Sequence, residues 1–189
     1  MKTLECRGIT LSDKQTKICV PITGTDLEEI KEQAEKIANM NPDVVEWRAD
    51  FYDVKDNDET EFEQCLKAIN DNLKKIPIIY TYRTSNEGGE KSIDVDDYCR
   101  LCKYVSEISE KYNVAMIDVE LYENKDRKDI GKLLLDIKST GVKVIGSNHH
   151  FEGTPSEKDI FNVLKTMEEA GADICKIAVM PKEKVDVKH

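Results

Sequence analysis

Asp173-Ile174-Cys175-Lys176-Ile177-Ala178-Val179-Met180-Pro181 is the stretch on which the reading of this chain turns. It is a short apolar run and reads as a buried strand. One lysine interrupts it. A lysine inside such a strand must be paired, reach water at a strand end, or lose its proton. Without its proton it is a nucleophile, able to form a Schiff base with a carbonyl compound. The plainer reading is a buried stem whose ammonium reaches solvent. On this segment alone both stand.

Similar runs recur upstream. Lys17–Thr23, Asp43–Asp50, Pro77–Arg83, Val114–Leu121 and Val142–Asn148 read as strands, and Asp173–Met180 is the sixth. Amphipathic stretches separate them, predicting helices over Asp26–Met40, Glu59–Lys74, Val95–Tyr112, Arg127–Thr140 and Ser156–Ala170. Leu27, Ile30, Ala34, Ile37 and Ala38 form the apolar stripe of the first helix. Thr25 with Glu28 reads as its capping box. Pro155 lies near the start of the last helix, where its missing N–H is harmless. Gly141 and Gly171 follow helices, where a left-handed cap residue is expected. Repeated βα units with continuous apolar strands predict a parallel sheet covered by helices, an α/β fold. Met1–Thr10, followed by polar Ser12-Asp13-Lys14-Gln15, reads as a short strand or hairpin ahead of the first unit. Asp53–Glu63 reads as an acidic, solvated loop.

With 189 residues, the chain can bury one substantial core, so a single domain over 1–189 is expected. Charged residues make up 35% and the net charge is -10, which argues against a nucleic-acid partner. No apolar stretch approaches the ~20 residues of a membrane span. Met1–Arg7 lacks the apolar core of a signal peptide, so the expected compartment is the cytoplasm. The cysteines, Cys6, Cys19, Cys65, Cys99, Cys102 and Cys175, are scattered and read as free thiols. Cys99 and Cys102 form a lone CxxC on a predicted helix, short of the four ligands of a zinc site, so no metal is expected.

The polar residues within the strands carry the functional information. Residues two apart share a face of a strand. By that rule Glu46 pairs with Arg48, Thr81 with Arg83, Asp118 with Glu120, Ser147 with His149, and Lys176 with Ala178. All lie toward the carboxyl ends of their strands, where parallel βα folds bind ligands. A structural salt bridge would explain any one pair, Glu46 with Arg48 included. Five strands with the same pattern argue for function, because burying that many charges is costly.

Arg83-Thr84-Ser85-Asn86-Glu87-Gly88-Gly89-Glu90 follows a strand directly, and its glycine pair permits a tight loop. It lacks the spacing of a phosphate-binding fingerprint. It does set Glu87 beside the strand ends, where a carboxylate can orient a histidine. His149 and His150 are adjacent and must point opposite ways, and parity with Ser147 selects His149 for the site. The third histidine, His189, is terminal.

Glu46-Trp47-Arg48-Ala49-Asp50, Arg83–Glu90, Ser147-Asn148-His149-His150-Phe151 and Cys175–Pro181 together resemble the type I 3-dehydroquinate dehydratases, in order and in spacing. The resemblance spans nearly the whole chain. It implies a (β/α)8 TIM barrel with an N-terminal β-hairpin over its base. It further implies a lyase of the shikimate pathway that removes water from 3-dehydroquinate without metal or organic cofactor. By the same resemblance Lys176 forms the imine, His149 moves the protons and Glu87 holds His149. Glu46, Arg48 and Arg83 bind the substrate, and the two arginines help to keep Lys176 neutral. A homodimer is the expected protein assembly. His150 stands where relatives often carry an acid, and Cys175 where proline is common. A complete barrel of this kind takes ~250 residues. Six βα units are legible here, so a partial, C-terminally truncated barrel with open sheet edges is expected. Two alternatives remain: another Schiff-base lyase of the class I aldolase kind, and a non-catalytic association module. The Glu-Gly-Gly-Glu and Ser-Asn-His segments argue against the first.

Overall fold

The computed structural model describes residues 3–53, 58–124 and 126–188. Strands β1 (Thr3–Cys6) and β2 (Ile9–Ser12) pair antiparallel. β3 (Cys19–Ile22), β4 (Val44–Arg48), β5 (Ile78–Thr81), β6 (Val114–Glu120), β7 (Lys143–His150) and β8 (Ile174–Val179) follow. These six form one parallel sheet in sequence order, β3-β4-β5-β6-β7-β8. Helices α1 (Leu27–Ala38), α2 (Glu59–Leu73), α3 (Val95–Glu107), α4 (Lys128–Ser139) and α5 (Glu157–Glu169) make the crossovers. Every expected strand and helix is present, with ends moved by a few residues. α3 stops earliest, five residues short of the expected Tyr112.

Strand alternation divides the sheet into two faces with different fates. Val45, Trp47, Ile78, Tyr80, Ile117, Val119 and Val144 point toward the helices and join one core with Ile30, Phe62, Leu66, Leu101 and Ile137. Trp47 anchors it, with its ring centroid 5.7 Å from Phe62 and 5.6 Å from Tyr80. The opposite face starts apolar at the amino ends of the strands. Val44, Met116 and Ile145, backed by Ile79 and Ile174, pack under Cys6 and Ile9 of the hairpin. The hairpin thus closes the floor of the inner face.

One local expectation is met and one is corrected. The expected N-terminal hairpin is present and turns at Arg7-Gly8. Both turn residues have positive φ, 39° and 81°, the backbone a two-residue hairpin requires. Arg7 is fastened there by Nε donating to the Val114 carbonyl at 2.7 Å. The cap of α1 lies one residue later than Thr25. The Asp26 side chain accepts from the Glu29 N–H, and the Glu29 carboxylate accepts from both the N–H and the hydroxyl of Thr25. An aspartate at the last non-helical position outcompeted the threonine before it. Pro155 precedes the Ser156 cap of α5. Gly141 and Gly171 adopt φ of 83° and 108° just past α4 and α5, as a left-handed cap demands. The acidic Asp53–Glu63 segment lies partly outside the described residues.

A second correction concerns β8, expected to be buried. All six of its residues are half-buried, because β8 pairs only with β7 and is an edge of the described sheet. An edge strand keeps one flank and part of each face in contact with water.

Candidate active site

Above the apolar floor, the inner face becomes polar in two successive layers. Register places Thr81 of β5 beside Asp118 of β6, and Ser147 of β7 beside Lys176 of β8. Arg48 of β4 lies beside Thr81 and Glu120 of β6 beside Ser147, and one step further along come Arg83 and His149, on the same face by alternation. The sheet itself therefore brings residues separated by more than a hundred positions into one cluster.

Arg83 sits at its centre, 4% exposed. One terminal nitrogen donates to Asp118 Oδ1 at 2.9 Å; the other donates to Ser147 Oγ at 2.8 Å and to Glu120 Oε1 at 3.3 Å. Burial works against the guanidinium charge, but Asp118 and Glu120 outweigh it and hold the Arg83 pKa above its ordinary value. Burial raises the Glu120 carboxyl, and hydrogen bonds from the Thr84 hydroxyl and N–H, each 2.7 Å long, oppose that rise.

Asp50 is fully buried and ties β4 to the loop after β5. It receives both Nε and a terminal nitrogen of Arg48 at 2.8 Å, the Arg83 N–H at 3.2 Å and the Glu90 N–H at 3.2 Å. The loop is pinned tightly. A Cβ on Gly89 would lie 1.9 Å from the Arg83 carbonyl oxygen, so no other residue fits there without backbone movement. The short 3-10 turn Ser85–Glu87 ends on Gly88 in the left-handed region and raises Glu87 toward β7. Glu87 Oε2 then meets His149 Nδ1 at 2.8 Å, with side-chain exposures of 7% and 11%. A carboxylate accepting at Nδ1 requires the proton there, which leaves Nε2 of a neutral ring as the basic atom.

Lys176 differs from its neighbours. Its Nζ lies 3.5 Å from Asp118 Oδ2, and its side chain is 42% exposed. The lysine neither lies bare in an apolar interior nor snorkels free of partners. It spans the edge of the sheet, with its amine against a buried carboxylate. The expected shielding by the arginines is not what surrounds it: Arg48 is engaged by Asp50 and Arg83 by Asp118 and Glu120, so the nearest charge is negative. Nor do Glu46 and Arg48 pair with each other. Glu46 accepts from the Thr81 hydroxyl at 2.7 Å, while Arg48 stacks over the Phe51 ring at 4.9 Å.

The cluster contains all six residues that sequence reasoning singled out: Glu46, Arg48, Arg83, Glu87, His149 and Lys176. Asp50, Asp118, Glu120, Ser147 and Thr84 were missed as site components. The parity of Asp118, Glu120 and Ser147 was visible in the sequence; the hydrogen bonds by which they hold Arg83 were not. His150 points away with a buried, unpartnered Nε2. His189 lies outside the described residues.

A parallel βα sheet with a hairpin-sealed floor and a polar cluster at its strand carboxyl ends defines an α/β protein of the barrel kind, built to hold a small molecule. A family model described as type I 3-dehydroquinase matches residues 18–189. A 3-dehydroquinate dehydratase of Clostridium novyi is 37% identical over 187 residues, covering 99% of this chain and 72% of its own length. That of Bacillus licheniformis is 41% identical, with 98% and 71% covered. Among solved structures, the type I enzyme of Clostridium difficile with covalently modified comenic acid superimposes with a TM-score of 0.91 at 35% identity, covering 99% of this chain and 72% of that one. The Geobacillus kaustophilus enzyme gives 0.90 at 28%, with 99% and 70% covered. The chain belongs to the type I 3-dehydroquinase family.

Proposed function

We propose that this chain removes water from 3-dehydroquinate to give 3-dehydroshikimate through a Schiff base on Lys176. Its relatives carry the dehydratase name over nearly all of this chain's length. The observation that carries the site assignment is the His149–Glu87 pair, at 2.8 Å, one strand from Lys176 on the same face. In this reading Lys176 Nζ attacks the ketone and water leaves, giving an iminium that withdraws electrons from the adjacent carbon. His149 Nε2 takes the proton from that carbon and returns it to the departing hydroxyl, while Glu87 fixes the ring's tautomer and orientation. Arg48, Arg83 and Glu46 hold the hydroxyls and the carboxylate side of the substrate. Residues 1–189 act together as one partial barrel domain.

Borohydride reduction in the presence of 3-dehydroquinate, followed by peptide mapping, tests the assignment. A reduced adduct on Lys176 is expected; none in a folded sample refutes it. The 42% exposure of Lys176 supports a second reading, a non-catalytic association module, because an iminium site needs shelter from water. A thermal melt separates the two: 3-dehydroquinate raises the melting temperature of a formed site and leaves that of a module unchanged.

Among the described residues no helix is long and apolar enough to cross a membrane. A cytoplasmic setting and a homodimer complete the proposal. The six free thiols support the first, and analytical ultracentrifugation tests the second. The net charge of -10 supports the absence of a nucleic-acid partner.

A further inference from the structure

We propose that Asp118 is the counter-ion of the Lys176 imine, its free oxygen keeping the imine nitrogen protonated while the reaction proceeds. The inference rests on the Schiff-base reading above. Asp118 is 2% exposed, and the division of labour between its two oxygens carries the argument. Oδ1 accepts from Arg83 at 2.9 Å and from the Ser147 hydroxyl at 2.6 Å, so the carboxylate plane is held from one side. Oδ2 is buried, has no hydrogen-bond partner, and faces Lys176 Nζ at 3.5 Å. A buried carboxylate oxygen without a donor is costly. Its cost is offset where a cation forms against it.

The chemistry requires such an anion. An ammonium and a ketone give an iminium and water, with the positive charge kept on nitrogen. Loss of the α-proton to His149 sends the C–H electron pair into the iminium and leaves a neutral enamine. When the β-hydroxyl departs with a proton from His149, the enamine pair expels it and the iminium returns. Water then releases the product and regenerates the ammonium. Nitrogen must be cationic whenever it serves as the electron sink, and a fixed anion beside it favours that state.

The other charged groups around Nζ do not supply this role. Glu46 on β4 is engaged by Thr81, Glu120 on β6 by Thr84, and Glu87 by His149 of β7. Arg83 lies on the Oδ1 side, shared among Asp118, Glu120 and Glu87. On β3, the Cys19 thiol is pushed up to about 11, first by burial and then by Glu46, and adds no charge.

The test is the pH profile of borohydride trapping on Lys176, compared with the imine that 3-dehydroquinate forms with butylamine under the same conditions. The wild-type adduct is expected to stay protonated to higher pH, by about tenfold or more in its protonation constant. Asp118→Asn moves the profile back toward the butylamine imine and lowers kcat more than it changes KM; Asp118→Glu restores part of the shift. Ser147→Ala, which removes one donor to Oδ1 but keeps the carboxylate's charge, leaves the pH profile of the trapped adduct near that of wild type, whatever it costs in kcat through Arg83. A purely structural role would make Ser147→Ala and Asp118→Asn alike and leave the profile of any trapped adduct unchanged. Coincidence of the wild-type and butylamine profiles overturns the proposal, and this comparison decides the matter even if Asp118→Asn does not fold. A wild-type protein with no adduct at all overturns the Schiff-base reading itself.

Discussion

The two ends of the inner face are made by the same strands and obey opposite rules. At the amino ends Val44, Met116 and Ile145 are buried under the hairpin, and stability there comes from removing apolar surface from water. Two to four residues further on, the same strands carry Glu46, Arg48, Asp118, Glu120, Ser147 and His149. There the fold accepts the desolvation of several charges and offsets it with a dense set of hydrogen bonds around Arg83 and Asp50. One end is a foundation that tolerates no charge. The other is a reaction vessel that would be pointless without it. A strand serves both because its direction separates the two tasks by a few residues' rise.

The largest contrast is expected from Lys176→Ala. At the polar end this should cost about 10⁴-fold or more in kcat and remove all borohydride trapping, with little change in melting temperature because the side chain is half-exposed. Activity retained at a tenth of wild type would end the assignment of the nucleophile. His149→Ala follows, with a fall of about 10²–10⁴-fold in kcat. Glu87→Gln should lose less, since it leaves the imidazole in place and weakens only its orientation. Equal losses in both variants, measured by steady-state kinetics, would show that Glu87 does more than orient.

At the other end the expectation reverses. Met116→Ala should lower stability by about 2–5 kcal/mol in chemical denaturation through the cavity left beneath the hairpin. Borohydride should still trap the Lys176 adduct in the folded fraction. Loss of trapping in a variant that remains folded would show that the two ends are coupled and not merely adjacent.

The smallest effect lies outside both ends. Glu63 on α2 accepts from the hydroxyls of Tyr104 and Tyr112 at 2.7 Å and from Lys111 at 2.8 Å. The bond from Lys111, then those from the tyrosines, hold its carboxyl down to about 2 from 4.5. A depressed acid stabilises the fold above its unfolded pKa and loses that contribution as pH falls through the folded value. The difference in melting temperature between wild type and Glu63→Gln should therefore be full above pH 4.5 and shrink toward pH 2. A difference that stays constant across that window would mean that the Glu63 charge contributes nothing.

Much of this was legible in the residues because strand geometry is a local rule. Alternation alone put Glu46, Arg48, Arg83, His149 and Lys176 on one face, and the glycine pair after β5 announced the loop that carries Glu87. Cap positions were less legible: Thr25 and Asp26 are both competent, and only the folded chain showed that the Glu29 N–H meets Asp26. The burial of β8 was misread because an apolar composition does not reveal whether a strand has one neighbour or two.

By itself, then, the sequence determined the order of βα units, the face on which the polar residues gather, and the family to which they belong, all consequences of spacing along the chain. Only the tertiary structure decided which carboxylate each cation meets. Arg48 went to Asp50, Arg83 to Asp118 and Glu120, and Lys176 to the remaining oxygen of Asp118. Those choices depend on register between strands and on distances of a few ångströms in a dry interior, where a charge takes the partner that geometry leaves it.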